Sequence, residues 1–244
     1  MGCSGPGLFA IIVLFAAVVL NAVAVILPAW SSNNSKTDSG GKADFAAGVW
    51  GFCTDIELDT ASSNASVKFD HCYFYYTAND YEAPELNDSQ ITGEFAEFSV
   101  CDGYNRAKEQ SDLVGNLCSQ GLAQLAGLEH SEFDRFLDRS CGSLGKATLT
   151  FASLSITAGV FAFISLVLGV TCCKAKSWVI QLGRLLAVAG FVMTVLAFVL
   201  WISQASPLSK KDDVGKSVSF TLSVAAAVLY VVVVALVTRH TMKQ

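Results

Sequence analysis

The run from Leu149 to Val170, LTFASLSITAGVFAFISLVLGV, holds 22 residues without one charged side chain. A helix needs roughly 20 such residues to cross the hydrocarbon core of a bilayer. The uncharged stretch around it extends from Ala147 to Cys173, and three others match it: Met1 to Ser35, Leu185 to Ser209 and Ser217 to Thr238. Four spans follow, near Leu8 to Leu27, Leu149 to Val170, Leu185 to Ile202 and Val218 to Val237. Strands are excluded, because an open edge in lipid leaves backbone groups unpaired and these runs lack the alternation of a barrel. Only 15% of the 244 residues are charged and 52% are apolar. A soluble domain carries about a quarter charged residues, so the deficit lies in the spans.

Charge also orients the chain. Lys174, Lys176 and Arg184 lie in one short loop and Arg239 and Lys243 in the tail, with no Asp or Glu in either. The positive-inside rule places both in the cytoplasm, along with the N-terminus. The organisation read from these boundaries is span 1 over 1–30, an extracellular domain over 31–146, span 2 over 147–173, a cytoplasmic loop over 174–184, span 3 over 185–202, a short outer loop over 203–216, span 4 over 217–238 and a tail over 239–244. Ala22-Val23-Ala24 has the small-x-small form of a signal cleavage site. No basic residue precedes it, however, and the apolar run continues through Leu27, so the first span is expected to be retained.

The segment 31–146 carries eight Lys or Arg against nineteen Asp or Glu, a net −11. It contains three glycosylation sequons, at Asn33, Asn64 and Asn87. Five of the eight cysteines, Cys53, Cys72, Cys101, Cys118 and Cys141, also lie there. An oxidising compartment would pair four of them and leave one free or bound to another chain, with the connectivity open. Cys172 and Cys173, at the cytoplasmic end of span 2, are candidates for palmitoylation.

Within the segment, the Ser-, Asn- and Gly-rich stretch 31–47 reads as a solvated lead-in, with regular structure starting near Phe45. Asp55, Glu57 and Asp59 alternate with Ile56 and Leu58, the period of a half-buried strand, and the aromatic run Val67 to Thr77 reads as a second. A bridge between Cys53 and Cys72 would pin such a pair. Leu113, Leu117, Leu122 and Leu125 suggest a helix between Tyr104 and Leu128. A second is expected after Ser131, with its hydroxyl capping Asp134 and an apolar stripe of Phe133, Phe136 and Leu137. The fold class is a four-helix membrane bundle with a mixed strand and helix, disulfide-bonded extracellular domain between spans 1 and 2.

Span 1 ends at Leu27-Pro28-Ala29-Trp30, and Gly48-Val49-Trp50-Gly51-Phe52-Cys53 follows, with Cys72 downstream. Trp30, Gly48, Trp50, Cys53 and Cys72 on a four-helix chain with a large first outer loop resemble the claudin superfamily, which includes claudins, peripheral myelin protein relatives and calcium-channel gamma subunits. Val49 stands where the family has Leu, the Cys53 to Cys72 interval is longer than in claudins, and 73–146 adds three further cysteines; the resemblance covers the four helices and about residues 27–76. The resemblance implies a plasma-membrane protein, either an auxiliary subunit of a larger complex or an adhesion or barrier component, and it matches Cys172-Cys173 to a palmitoylated pair.

The chemistry in the chain is sparse. No phosphate-binding loop, zinc-protease motif or nucleophile elbow occurs, which argues against an enzyme. His71, His130 and His240 are isolated, the Asp55–Glu57–Asp59 trio lacks the glycine of a calcium loop, and no metal, cofactor, nucleic acid or small-molecule substrate is expected. Trp30, Trp178 and Trp201 suit the headgroup level of a bilayer, whereas Trp50, beside Gly48 and Gly51, reads as a core residue of the outer domain. Asn21 is expected to hydrogen-bond another helix, and small residues such as Gly159, Gly190 and Ala226 to permit close packing. The expected partners are membrane lipid and either other membrane proteins or further copies of the chain, met through the extracellular domain at strand edges and the Tyr73 to Tyr76 cluster. The competing reading, a self-contained channel or transporter, lacks the charged or broken helices such proteins use.

Overall fold

A computed structural model describes residues 5–36, 42–59, 66–77, 99–171, 177–208 and 214–242; for 5–6, 34–36, 42–44, 55–59, 66–71, 112 and 177 it describes the backbone path alone. Helix α1 (Gly5–Ile26) leads into strands β1 (Ser31–Lys36), β2 (Lys42–Ala47), β3 (Gly51–Asp59) and β4 (Ser66–Phe74). Helices α2 (Val100–Gln110), α3 (Asp112–Ala126), α4 (His130–Cys141), α5 (Ser143–Thr171) and α6 (Ser177–Ala205) follow, then the two-residue strand β5 (Gly215–Lys216) and helix α7 (Val218–Met242). The chain divides into two compact units, one of Met1–Leu27, Ala147–Leu200 and Val218–Gln244, the other of Pro28–Lys146 with Trp201–Ser217.

The first unit is a helical bundle. Its four helices are each long and apolar enough to cross a membrane. Their shared core is built from Leu14, Ala17, Ala162, Leu166, Tyr230 and Val233, among others. Small residues set the spacing. A methyl group added at Gly159 would collide with the Tyr230 hydroxyl and Val18, and one at Gly190 would press on the Tyr230 ring. Asn21 donates from Nδ2 to Ser155 Oγ at 2.7 Å, the interhelical bond its polarity called for. Outward, the same helices present Phe9, Ile12, Phe161, Leu185 and Val228. Apolar side chains on the outside are what a hydrocarbon solvent permits.

The second unit places a five-stranded antiparallel sheet, ordered β4-β3-β2-β1-β5, with helices α2 to α4. Its core is aromatic. Phe45 and Phe52, on neighbouring strands, meet Phe133 and Phe136 of α4 with centroids 5.5 to 6.4 Å apart and rings nearly perpendicular. Trp30 and Trp201 continue the cluster, 5.7 Å from each other, and Trp201 Nε1 donates to Ser31 Oγ. Both indoles are fully buried. This corrects the expectation of interfacial rings at these two positions: a buried Trp with a partner for its N–H stabilises a protein core more than a half-wet one. Trp178 is exposed, as expected.

Two further expectations are corrected. Residues 31–36 and 42–47 are not a lead-in but two paired antiparallel strands, with Asn33 opposite Phe45. Their polar composition is overridden by pairing on both sides, with β5 and β3. Helix α4 starts at His130, not after Ser131. The Ser131 hydroxyl donates back to Glu129 Oε1 and caps nothing, because Glu129 holds the cap position.

The helical part between Tyr104 and Leu128 is two helices rather than one. Ser111 ends α2 and begins α3, its hydroxyl accepting from the Val114 N–H at 3.2 Å. Gly127, at φ 64°, closes α3 in a left-handed cap that a side chain would strain.

Candidate interaction surface

The paired strands β3 and β4 and the corner before them carry Gly48, Trp50, Cys53 and Cys72 of the motif. Gly48 N–H donates to the Gly51 carbonyl and Tyr75 N–H to the Trp50 carbonyl, each at 2.8 Å, so residues 48–51 form a tight corner fastened to the end of β4. Gly51 allows no side chain, since a Cβ there would overlap the Tyr73 carbonyl. Val49 takes the buried position at this corner, and Trp50 is left 38% exposed. Trp50 is therefore not a core residue. With one inward position available at the corner, the smaller neighbour fills it.

Cys53 and Cys72 stand directly opposite in the register and are bridged, Cα to Cα 4.0 Å. A second bridge joins Cys101, at the start of α2, to Cys141, at the end of α4. Cys118 is the free cysteine of the described residues, on α3, and burial pushes its thiol pKa up. Small domains use such bridges where the core alone supplies too little stability.

The tyrosine cluster does not form an open surface. Tyr75 is fully buried and stacks obliquely on Phe52 and Phe136. Tyr76 donates its hydroxyl to the Ser140 carbonyl, and Tyr73 lies parallel to Phe52 at 5.2 Å. Only Phe74, 40% exposed, points clear of the core, so the outward aromatic pair here is Trp50 and Phe74. Alternation explains this, because Phe74 falls on the opposite face of the strand from Tyr73 and Tyr75. Burial raises all three tyrosine pKa values, that of Tyr76 to about 12.

Helices α2 and α4 are tied by a polar staple. Tyr104 donates to Asp134 Oδ1 at 3.0 Å, and Lys108 pairs with Asp138 at 2.9 Å while resting 4.6 Å from the Tyr104 ring centre. Burial raises the Tyr104 pKa to about 12. His130 shares a hydrogen bond with the buried Ser119 hydroxyl at 2.9 Å. His240 is buried at the far end of α7, near Gly7. Among the described residues no group of three His, Cys, Asp or Glu is placed to hold a metal ion.

Of the three sequon asparagines, Asn33 lies on β1, whereas Asn64 and Asn87 fall outside the described residues, as do Cys172 and Cys173 and the side chains of Asp55, Glu57, Asp59 and His71. The sequence reading missed the outward face of α3, where Leu113 is 70% and Leu117 59% exposed. Their spacing signals a helix but not which of its faces turns inward. No protein-family model and no curated protein matches this chain.

Proposed function

We propose that this chain is a non-enzymatic, claudin-like protein of the plasma membrane whose extracellular unit joins other membrane proteins, as an auxiliary subunit of a larger complex or as an adhesion or barrier component. The observation that carries this reading is the second unit itself. It is a sheet fastened to helices by two disulfides and carrying exposed Trp50, Phe74, Leu113 and Leu117. Exposed aromatic and leucine side chains on a rigid, disulfide-braced scaffold belong to a surface built for contact. Oxidised Cys53–Cys72 and Cys101–Cys141, the sequons and the basic loop and tail are mutually consistent with that unit facing outward and both termini facing the cytoplasm.

Supporting the claudin-like reading are the corner that Gly48, Trp50 and Gly51 make and the bridge that follows it at Cys53. The test is crosslinking and mass spectrometry on protein extracted gently from its native membrane, with and without reductant. A stoichiometric crosslinked protein contacting residues of 31–146 is expected. Recovery of the chain alone, with no crosslink between chains from that unit, would refute the assignment.

A further inference from the structure

Helix α3 is amphipathic in the wrong direction for a helix in water. At roughly 100° per residue, Leu113, Val114, Leu117, Cys118, Gly121 and Leu125 fall within an arc of roughly 140°. That arc faces away from the core: Leu113 and Leu117 are joined there by Leu125, 41% exposed, and Val114, 38% exposed. The opposite side supplies Ser119, Leu122, Ala123 and Ala126, all buried. A leucine is therefore spent on both faces, and among the described residues the outer one has no packing reason to be apolar.

Charge narrows what can cover it. Between Asp112 and Glu129 no charged residue occurs, inside a segment of net −11. Two copies of so acidic a unit repel each other over most of their surface, and α3 is where they approach without opposing carboxylates. A lipid surface is a poorer fit, because helices that lie on membranes carry Lys or Arg beside the apolar face and α3 has neither. The amount of surface also suits a dimer. The exposed fractions of the four aliphatic side chains amount to roughly 400 Å² of apolar area, and a standard interface of about 800 Å² per partner, about 57% non-polar, needs roughly 450 Å². At the middle of the arc, nothing lies within 4 Å of the position a Gly121 Cβ would take, so a second helix can come close.

Resting on the assembly reading above, we infer that the outward face of α3 is the contact between two copies of this chain, crossing near Cys118 and Gly121 about a two-fold axis. The pair is held by the leucines, not by the thiol. Burial keeps the Cys118 thiol protonated and slow to oxidise, so Cys118 serves as a reporter of proximity.

The experiment uses the full chain in lipid nanodiscs prepared from its native membrane. Native mass spectrometry is expected to find two copies per particle for wild type and for Cys118→Ser, and at least a tenfold smaller dimer fraction for Leu117→Glu. Leu113→Ser combined with Leu117→Ser gives the same loss without introducing a charge. Peptide mapping of the two native bridges in each variant verifies the fold. With two equivalents of a copper(II) oxidant, each reduced by one electron to copper(I), and two protons released per bridge, wild type is expected to form a Cys118–Cys118 disulfide that Leu117→Glu does not. A monomer in wild type, or a dimer indifferent to all the leucine changes, overturns the inference. Crosslinks from α3 to a different protein, or loss of the leucine effect when lipid is exchanged for detergent, overturn the homodimer while leaving the assembly reading standing. A wild-type chain with no contact to any protein overturns both.

Discussion

The two units bury their interiors by opposite means. In the bundle, space is kept small: Gly159 and Gly190 receive Tyr230, and Gly183 lies against Leu166. In the sheet unit, space is filled with large rings, Trp30, Phe45, Phe52, Tyr75, Phe133, Phe136 and Trp201, and locked by two bridges. The membrane reading proposed above accounts for the difference through solvent. Lipid tails are as apolar as the side chains they meet, so helices there associate through close van der Waals packing at small residues. Water drives apolar area inward at about 25 cal/mol per Å², and aromatic rings bring the most area per residue. A small aqueous unit still needs covalent help.

The sharpest way to break this contrast is to remove one ring. Phe136→Ala, which withdraws contacts to Phe45, Tyr75, Phe133 and Trp201 at once, is expected to cost ~3–5 kcal/mol. Hydrogen exchange read by mass spectrometry should show lost protection in 99–141 with little change in α7; uniform loss across both units would mean they share one mode of stabilisation.

Alkali should separate the units next. Tyr75, Tyr76 and Tyr104 have folded pKa values above the usual 10, the latter two near 12, chiefly through burial. A raised folded value means the neutral phenol is the form the fold accommodates. The stability it contributes is complete below pH 10 and is lost as pH rises toward 12. Tyrosinate absorbance followed alongside exchange protection is expected to show the sheet unit opening in that window. Ionisation near pH 10 without opening would show that these hydroxyls are not held by the fold.

Within the bundle the complementary change is to add one carbon. Gly159→Ala drives a methyl group against the Tyr230 hydroxyl and Val18, with an expected loss of ~1–3 kcal/mol in unfolding measurements on solubilised protein. Tyr230→Phe in the same chain removes the nearest colliding atom and should recover part of it, a coupling that a double-mutant cycle measures. Additivity of the two changes would deny close packing at this site. The smallest effect is expected at the surface staple: Lys108→Ala removes a pair exposed at both ends and should cost less than ~1 kcal/mol. A larger loss would make the polar link between α2 and α4 a partner of the aromatic core.

The four long helices were legible because an uncharged run of bilayer length admits few alternatives, and the observed helices Gly5–Ile26, Ser143–Thr171, Ser177–Ala205 and Val218–Met242 contain or closely follow those runs. The extra turns lie at polar ends, where composition gives no signal of length. Strand β3 was legible from alternation and β4 from its run of strand-forming aromatics. Strands β1 and β5 were not, because Ser31-Ser32-Asn33 and Gly215-Lys216 have no strand-forming side chains and are ordered by their partners. Trp50 misled for a related reason. A large aromatic next to glycines suggests burial, yet at a corner with one inward position the backbone decides which neighbour turns in. Aromatic content identified the core; local geometry decided which aromatic was left out of it.

Strand β5 has a consequence for the order in which the protein is made. Ser31 and Ser32 find their edge partners at Lys216 and Gly215, Trp30 packs on Trp201, and Gln204 donates to Ser140 Oγ while Arg139 donates to Ser203 and Ser206. Residues 201–216 emerge from the ribosome well after strands β1 to β4 and helices α2 to α4 have been synthesised. A nascent chain stopped before Trp201 carries both pairs of bridging cysteines yet lacks the cover for Trp30 and the last strand for β1. Disulfide formation can therefore run ahead of completion, and a quality-control step that inspects only oxidised thiols would pass an unfinished domain, whereas one that senses an exposed indole would hold it until Trp201 arrives.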